Sequence, residues 1–263
     1  MSSVSVLIPV YNDPDGLFKT LKSLDSFDAG IVLVVDDGSD EKIDYVQEFN
    51  FNLKILRLDK NMGIESALNK GLDYLLKFGS KYIARLDSGD IVKADRFNLQ
   101  SRYLNENPGI SVVGSYVDVV DSSGSFLYQQ KYPLLHDDIF RLFKYQNQMC
   151  HPAVMFRASI FREGIRYPLD RPAAEDYALF FHLSHKYKMA NIPVSLLDYE
   201  VSASSISSVN RRLQCFSRLK VQLDNASWLN IDFYAGVIRT LLLIMLPRGL
   251  SVCIKQFTSK VRY

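Results

Sequence analysis

VSVLIPVYNDPDGLFKTLKSLDSFDAGIVLVVDD, residues Val4 to Asp37, decides how this chain is built. The stretch opens and closes on short, nearly unbroken apolar runs rich in β-branched residues, the pattern of strands covered on both faces. Between the runs Leu17, Leu21 and Leu24 recur at helical spacing behind Pro14, a residue suited to a helix's first turn. The result is a β-α-β unit. The rhythm then repeats: LKILRLD (Leu53 to Asp59) predicts a third strand, Leu68, Leu72 and Leu75 a second helix, and KYIARLD (Lys81 to Asp87) a fourth strand. Strands alternating with helices imply a parallel sheet with right-handed crossovers.

The second half is less regular. ISVVGSYVDVVDSSG predicts a strand running into a turn at Ser122 to Gly124, AVMFR a short buried strand, and EDYALFFHLSHKYK a helix behind an acidic first turn. ANIPVSLLDYEV reads as a late strand that Pro193 makes an edge or a bent one. The serine-rich SASSISSVNRR reads as a mobile loop.

At 263 residues and 48% hydrophobic, the chain can bury a sizeable core. Three widely spaced cysteines, Cys150, Cys215 and Cys253, give neither a disulfide framework nor a zinc knuckle. With no basic, apolar leader ahead of the first strand, a cytoplasmic location is expected. The net charge of +2 hides an asymmetry: residues 210–263 carry nine Lys/Arg against Asp224 and Asp232, and the body is acidic. A basic tail on an acidic body suits an anionic partner for the tail, a membrane surface or a nucleic acid, or else a plain solvated helical face, and the acidic body argues against nucleic-acid binding.

In an open parallel sheet, ligands bind outside the carboxyl ends of the strands. Acids cluster there: Asp36 and Asp37 after the second strand, Asp59 after the third, Asp87 and Asp90 after the fourth. Either they hold something cationic, for which Mg²⁺ or Mn²⁺ with phosphate oxygens is the economical choice, or they serve as loop and helix-cap residues. The cap reading is the natural one for Asp59 and Asp95. Neither the G-x-G-x-x-G fingerprint nor a P-loop is present, so a bound nucleotide would rely on a metal for its diphosphate.

VSVLIPVYN, LVVDDGSD, NMGIESALNKGL, ARLDSGDIVKADRF, HPAVMFR and EDYALFFHL occur in order and at the spacing of family 2 glycosyltransferases, which the chain resembles over about residues 3 to 205. The resemblance implies a GT-A-like α/β fold: a mostly parallel central sheet flanked by helices, with a helical C-terminal tail. Residues 1–205 would form the catalytic domain, 1–110 its nucleotide-binding half and 111–205 its acceptor-binding half. Residues 206–263 would form a basic amphipathic helical region able to associate with a membrane.

The implied activity is inverting transfer of one sugar from a nucleotide sugar, most often a UDP-sugar, with Mn²⁺ or Mg²⁺ as cofactor. The acceptor would be a glycan, polyprenyl-diphosphate-linked, in surface-polysaccharide synthesis on the cytoplasmic face of the inner membrane. By position, Pro9 and Tyr11 would line the base pocket, and Asp37 with Asp36 would accept the uracil N3 proton. Asn61, Gly63, Arg85, Asp87 and Ser88 would sit against the nucleotide sugar. The family's D-x-D-D metal motif reads DSGD here, with Gly89 in place of the second acid, leaving Asp87 and Asp90 as metal ligands. Asp176 would be the general base and Glu175 its orienting neighbour, and His151 would contact the acceptor or the diphosphate.

Outside these motifs, His182 and His185 lack a third ligand and read as packing or surface, and His136 as a loop residue. The tail's apolar stretch, Val237 to Leu246, is too short to span a bilayer and suits an interfacial helix or one docked on the core. The Q-x-x-R-W motif of processive members is absent, QCFSR being a poor match. Two other readings stay open: a polyprenyl-phosphate sugar transferase, and, because of Gly89, a non-catalytic nucleotide-sugar-binding protein.

Overall fold

The computed structural model describes residues 4–24, 30–43, 49–93, 95–201, 211–226 and 231–245. The opening unit forms as its sequence implies, with β1 (Val4–Val10), α1 (Pro14–Lys22) and β2 (Val32–Asp36). Every residue of both strands is buried. Pro14 opens α1, and Asp13 caps it, its Oδ1 accepting from the Gly16 N–H at 3.1 Å. β3 (Leu53–Arg57), α2 (Ile64–Phe78) and β4 (Tyr82–Arg85) follow. Leu68, Leu72 and Leu75 are buried on α2, each worth about 1.5–3 kcal/mol of apolar burial. The four strands lie in the order β3-β2-β1-β4, all parallel.

Pro9 fits inside β1 because of where the ladder stops. Leu7 is the last residue paired with β4, so the N–H that Pro9 lacks would face a side where no strand continues.

The chain then adds β5 (Ile91–Val92), α3 (Arg96–Glu106), β6 (Ile110–Val120), β7 (Phe126–Gln130) and α4 (His136–Phe143). A 3₁₀ turn at His151–Ala153 leads into β8 (Met155–Arg157), α5 (Ser159–Arg162), α6 (Glu175–Ser184) and β9 (Lys188–Glu200). β8 joins β4 antiparallel and carries the same sheet on through β6, β9 and β5, with β7 paired to β6. One sheet therefore runs through both halves, with apolar clusters on each face. One involves α2 and α6, the other α1 and α3.

Pro193 bends β9 rather than placing it at an edge. The β6–β9 register jumps from Ser115 opposite Ile192 to Tyr116 opposite Ser195, so Pro193 and Val194 bulge out of the ladder. One single-residue reading, that of His136, needs correction, and that of Asp95 holds in position. His136 is the first residue of α4 rather than part of a loop, and its Nδ1 accepts from the Met189 N–H at 3.3 Å. Asp95 stands at the N-cap of α3 in a left-handed conformation, φ 63°, without a side-chain capping bond.

The tail contains α7 (Arg211–Asp224) and α8 (Ile231–Met245). α8 is docked on the body through Phe233, Gly236, Thr240 and Leu243, while Ile238, Leu241, Leu242 and Met245 remain exposed. Among the described residues no helix is long and apolar enough to cross a membrane. The serine-rich stretch 202–210 and the basic residues beyond Met245 lie outside the described residues. Cys150 and Cys215 are buried free thiols.

Candidate active site

The carboxyl ends of β1, β2 and β4 form one rim. Tyr11, just past β1, is 46% exposed there. Asp37 lies past β2 and accepts the Met62 and Gly63 N–H groups, one on each oxygen and both at 2.9 Å. Those bonds fold the loop before α2 against the rim, and Asn61 Oδ1 shares the Gly63 N–H at 3.0 Å. Gly38 makes the approach feasible: with φ +74°, a Cβ there would lie 2.4 Å from the Lys60 carbonyl carbon. Burial raises the Asp37 pKa although the two N–H bonds oppose it. Asp36 is buried, its Oδ1 taking the Ser39 N–H at 2.9 Å and its Oδ2 3.4 Å from Arg57.

The DSGD turn hangs on α1. Thr20 Oγ1 accepts from the Gly89 N–H at 2.9 Å and donates to the Asp90 carbonyl at 2.9 Å, and Ser88 Oγ donates to Asp13 Oδ2 at 2.6 Å. Asp87 keeps its side chain one-third exposed and is ion-paired with the fully buried Arg85. Asp90 is buried. Its Oδ1 accepts the Glu200 N–H at 3.0 Å, its Oδ2 is buried without a hydrogen-bond partner, and burial with the nearby Asp87 carboxylate pushes its pKa well up.

Among the described residues no three His, Cys, Asp or Glu side chains converge on a metal position. The donor set does fit a hard divalent ion shared with phosphates: Asp87 is the open carboxylate and Asp90 Oδ2 the unsatisfied one beside it. A Cβ at Gly89 would meet nothing within 4 Å, so the place of the family's second acid is open space.

Across the site, Glu175 and Asp176 begin α6. Asp176 Oδ2 accepts from Asn147 Nδ2 at 2.8 Å and Oδ1 from the Tyr177 N–H at 2.6 Å. Burial raises its pKa, and those two bonds, with the Arg218 charge from α7, hold it down. Burial and the adjacent Asp176 push Glu175 up to about 8. Arg85, ion-paired with Asp87, also acts electrostatically on both acids, so the α6 side lies within the field of the DSGD side. His151 is buried, with Nε2 2.8 Å from the Tyr167 hydroxyl, and burial beside Arg85 keeps it neutral.

Several supporting residues carry no sequence signature. Arg96 donates to the Arg85 carbonyl at 2.7 Å, and Gln100 to the Ala153 carbonyl at 2.8 Å, pinning β4 to the His151 turn. Asn69 clamps both backbone groups of Tyr167, at 2.9 and 2.8 Å. Glu65, in the first turn of α2, feels Asp37 and contributes to the field at Glu175. An acid in a first turn is too common for sequence to single out.

Residues 5–165 match the family model described as Glycosyl transferase family 2. The amylovoran biosynthesis glycosyltransferase AmsE of Erwinia amylovora is 29% identical over 256 residues, 92% of this chain and 94% of its own. An Escherichia coli UDP-Gal:alpha-D-GlcNAc-diphosphoundecaprenol beta-1,3-galactosyltransferase is 27% identical over 92% of this chain and 91% of its own. In fold, S. aureus TarS 1-349 in complex with UDP matches at TM-score 0.63 and 19% identity, over 89% of this chain and 72% of that one. The mannosyltransferase PcManGT of Pyrobaculum calidifontis, solved with GDP-Man and Mn²⁺, matches at TM-score 0.63 and 13% identity, over 92% and 69%. The sheet, the rim and the family motifs thus agree: the chain is a GT-A-like glycosyltransferase and belongs to glycosyl transferase family 2.

Proposed function

We propose that the protein transfers one sugar, with inversion, from a UDP-sugar to a lipid-linked glycan during surface-polysaccharide synthesis. The observation that carries this reading is the pairing of two acid-bearing sides around Arg85. The open Asp87 lies on the nucleotide side, and Asp176, held by Asn147, lies at the start of α6. The relative that acts on a diphosphoundecaprenol acceptor, and the one in amylovoran biosynthesis, support the acceptor class.

In this reading Tyr11 packs on the uracil ring beside Pro9. Asp37 uses lone pairs left over from its two N–H bonds to accept the uracil N3 proton. Arg85 steadies the diphosphate side of the pocket, and Asp87 with Asp90 would hold Mn²⁺ or Mg²⁺. When bound, the ion supplies charge neutralisation to the departing diphosphate. Asp176 takes the proton of the acceptor hydroxyl as that oxygen attacks the anomeric carbon on the face opposite the leaving group. Glu175, protonated near neutrality, limits the negative charge beside it. The exposed apolar side of α8 and the basic tail would seat the enzyme on the cytoplasmic face of the membrane.

A screen of nucleotide sugars for release of free UDP, with the lipid-linked acceptor present, tests the assignment. Turnover should be lost on chelation and in Asp176→Asn, with UDP binding retained. UDP affinity indifferent to Mn²⁺, together with no turnover on any donor, would instead favour the non-catalytic reading that Gly89 invites.

A further inference from the structure

A cleft of about 530 Å³ opens in the second half of the chain, and none of the nucleotide-side residues named above lines it. Its walls include Tyr116 on β6, Tyr132 after β7, Leu135, and Tyr145 past α4, and its polar groups are Asp138 and Arg141. The volume lies in the range of small-ligand sites, roughly 300–1,000 Å³, and the lining has their character: aromatic and apolar walls with few polar groups. From this cleft we infer a saccharide subsite that holds a sugar ring of the acceptor glycan. The inference rests on the glycosyl-transfer reading and gives its acceptor a location.

Two connections tie the cleft to the reaction centre. Tyr145 is on its wall, and two residues further on Asn147 holds Asp176. Tyr132 on its wall interacts with the buried Cys150 and with Tyr199, and Tyr199 feels the charges of Asp90, Asp87 and Asp176. A molecule in the cleft therefore adjoins the loop that fixes the base.

The chemistry selects a sugar over the lipid part of an acceptor. Tyrosine rings offer flat, amphipathic faces for the C–H side of a pyranose. Asp138 and Arg141, paired at 3.0 Å and more than half exposed, offer a carboxylate acceptor and guanidinium donors for its hydroxyls. A polyprenyl chain would gain nothing from that pair and would strip it of water.

The test uses the full chain loaded with UDP, with methyl α-glycosides of glucose, galactose, mannose and N-acetylglucosamine as probes in saturation-transfer NMR. At least one glycoside should receive saturation. Its signal should drop about tenfold in Leu135→Trp, which fills the cleft from an exposed rim position, and in Asp138→Asn/Arg141→Ala, while the Kd for UDP stays unchanged. No transfer to any of the four, or equal transfer in wild type and both variants, overturns the subsite. Failure of UDP itself to bind overturns the underlying UDP-donor reading, a separate outcome of the same titration.

Discussion

Asn147 Nδ2 donates to Asp176 Oδ2 at 2.8 Å, joining the loop after α4 to the first turn of α6. A hydrogen bond to a charged acceptor contributes about 1.5–3 kcal/mol and favours the ionised carboxylate. Asn147→Leu should therefore raise the Asp176 pKa further. If Asp176 is the base, kcat should fall on the order of tenfold, and the acid limb of the kcat–pH profile should move to higher pH. UDP affinity should not change. Calorimetry beside a pH–rate series separates the two effects, and an unmoved acid limb would remove Asp176 from the base role.

Glu175 makes stability depend on pH in the direction opposite to an ion-paired acid. Burial and Asp176 raise it from 4.5 to about 8, so the folded protein binds this proton more tightly than the unfolded chain. Between those values the folded state holds a proton that the unfolded state has lost, and stability falls as pH rises through the window. Glu175→Gln removes the titration while keeping the shape. Its gain in Tm should be small at pH 5 and grow toward pH 8, as thermal unfolding at the two pH values will show.

Gly38 is fixed by its backbone and its neighbour together. Alanine there must adopt φ +74° and place a Cβ 2.4 Å from the Lys60 carbonyl carbon. We expect Gly38→Ala to cost about 1–3 kcal/mol and to push the Lys60–Asn61 segment off Asp37. Chemical denaturation should record the loss, and UDP titration a weaker Kd. Normal UDP affinity in a destabilised variant would detach the Asp37 loop from nucleotide binding.

Gly89 has the reverse balance, open space with a strained backbone. The Cβ of Gly89→Asp meets no atom within 4 Å, but the residue must hold φ +95°, at about 1–3 kcal/mol. The added carboxylate would stand in the turn beside Asp87. UDP should bind the variant more tightly with Mn²⁺ than without, by a larger ratio than in the wild type. Equal ratios would mean that this turn does not face the ion.

The first half of the fold was legible because β1, β2 and β4 are covered on both faces. Continuous runs such as Val32 to Asp36 and the leucines of α2 leave little choice of partner. β5, two residues long, and β7, whose Phe126, Leu127 and Tyr128 are exposed, carry no burial pattern to read. At the site, Asp87 and the α6 acids could be named from motifs, but where each acid points could not. Whether Asp90 faces β5's partner strand or the rim depends on the Glu200 N–H, 110 residues away. Asn147, Asn69 and Arg96 act through contacts that only the folded chain creates.

The tail reaches the same loop as Asn147. Gly236 on α8 lies so close to it that a Cβ would stand 2.0 Å from the Lys144 carbonyl oxygen. Arg239 donates to the Tyr145 carbonyl at 2.9 Å and to Gln146 Oε1 at 2.8 Å, and the Tyr145 hydroxyl donates to Asp232 at 2.6 Å. α8 thus braces residues 144–146 while its other side, at Ile238, Leu241 and Leu242, meets solvent. Gly236→Val should pry the helix away, lowering kcat through the 144–147 loop while UDP binding on the far rim is unaffected. Ile238→Glu/Leu242→Glu should leave the brace and detergent-phase turnover intact but weaken flotation with vesicles of anionic phospholipid. If the double variant floated like the wild type, α8 would be a brace alone, and any membrane contact would have to come from other parts of the chain.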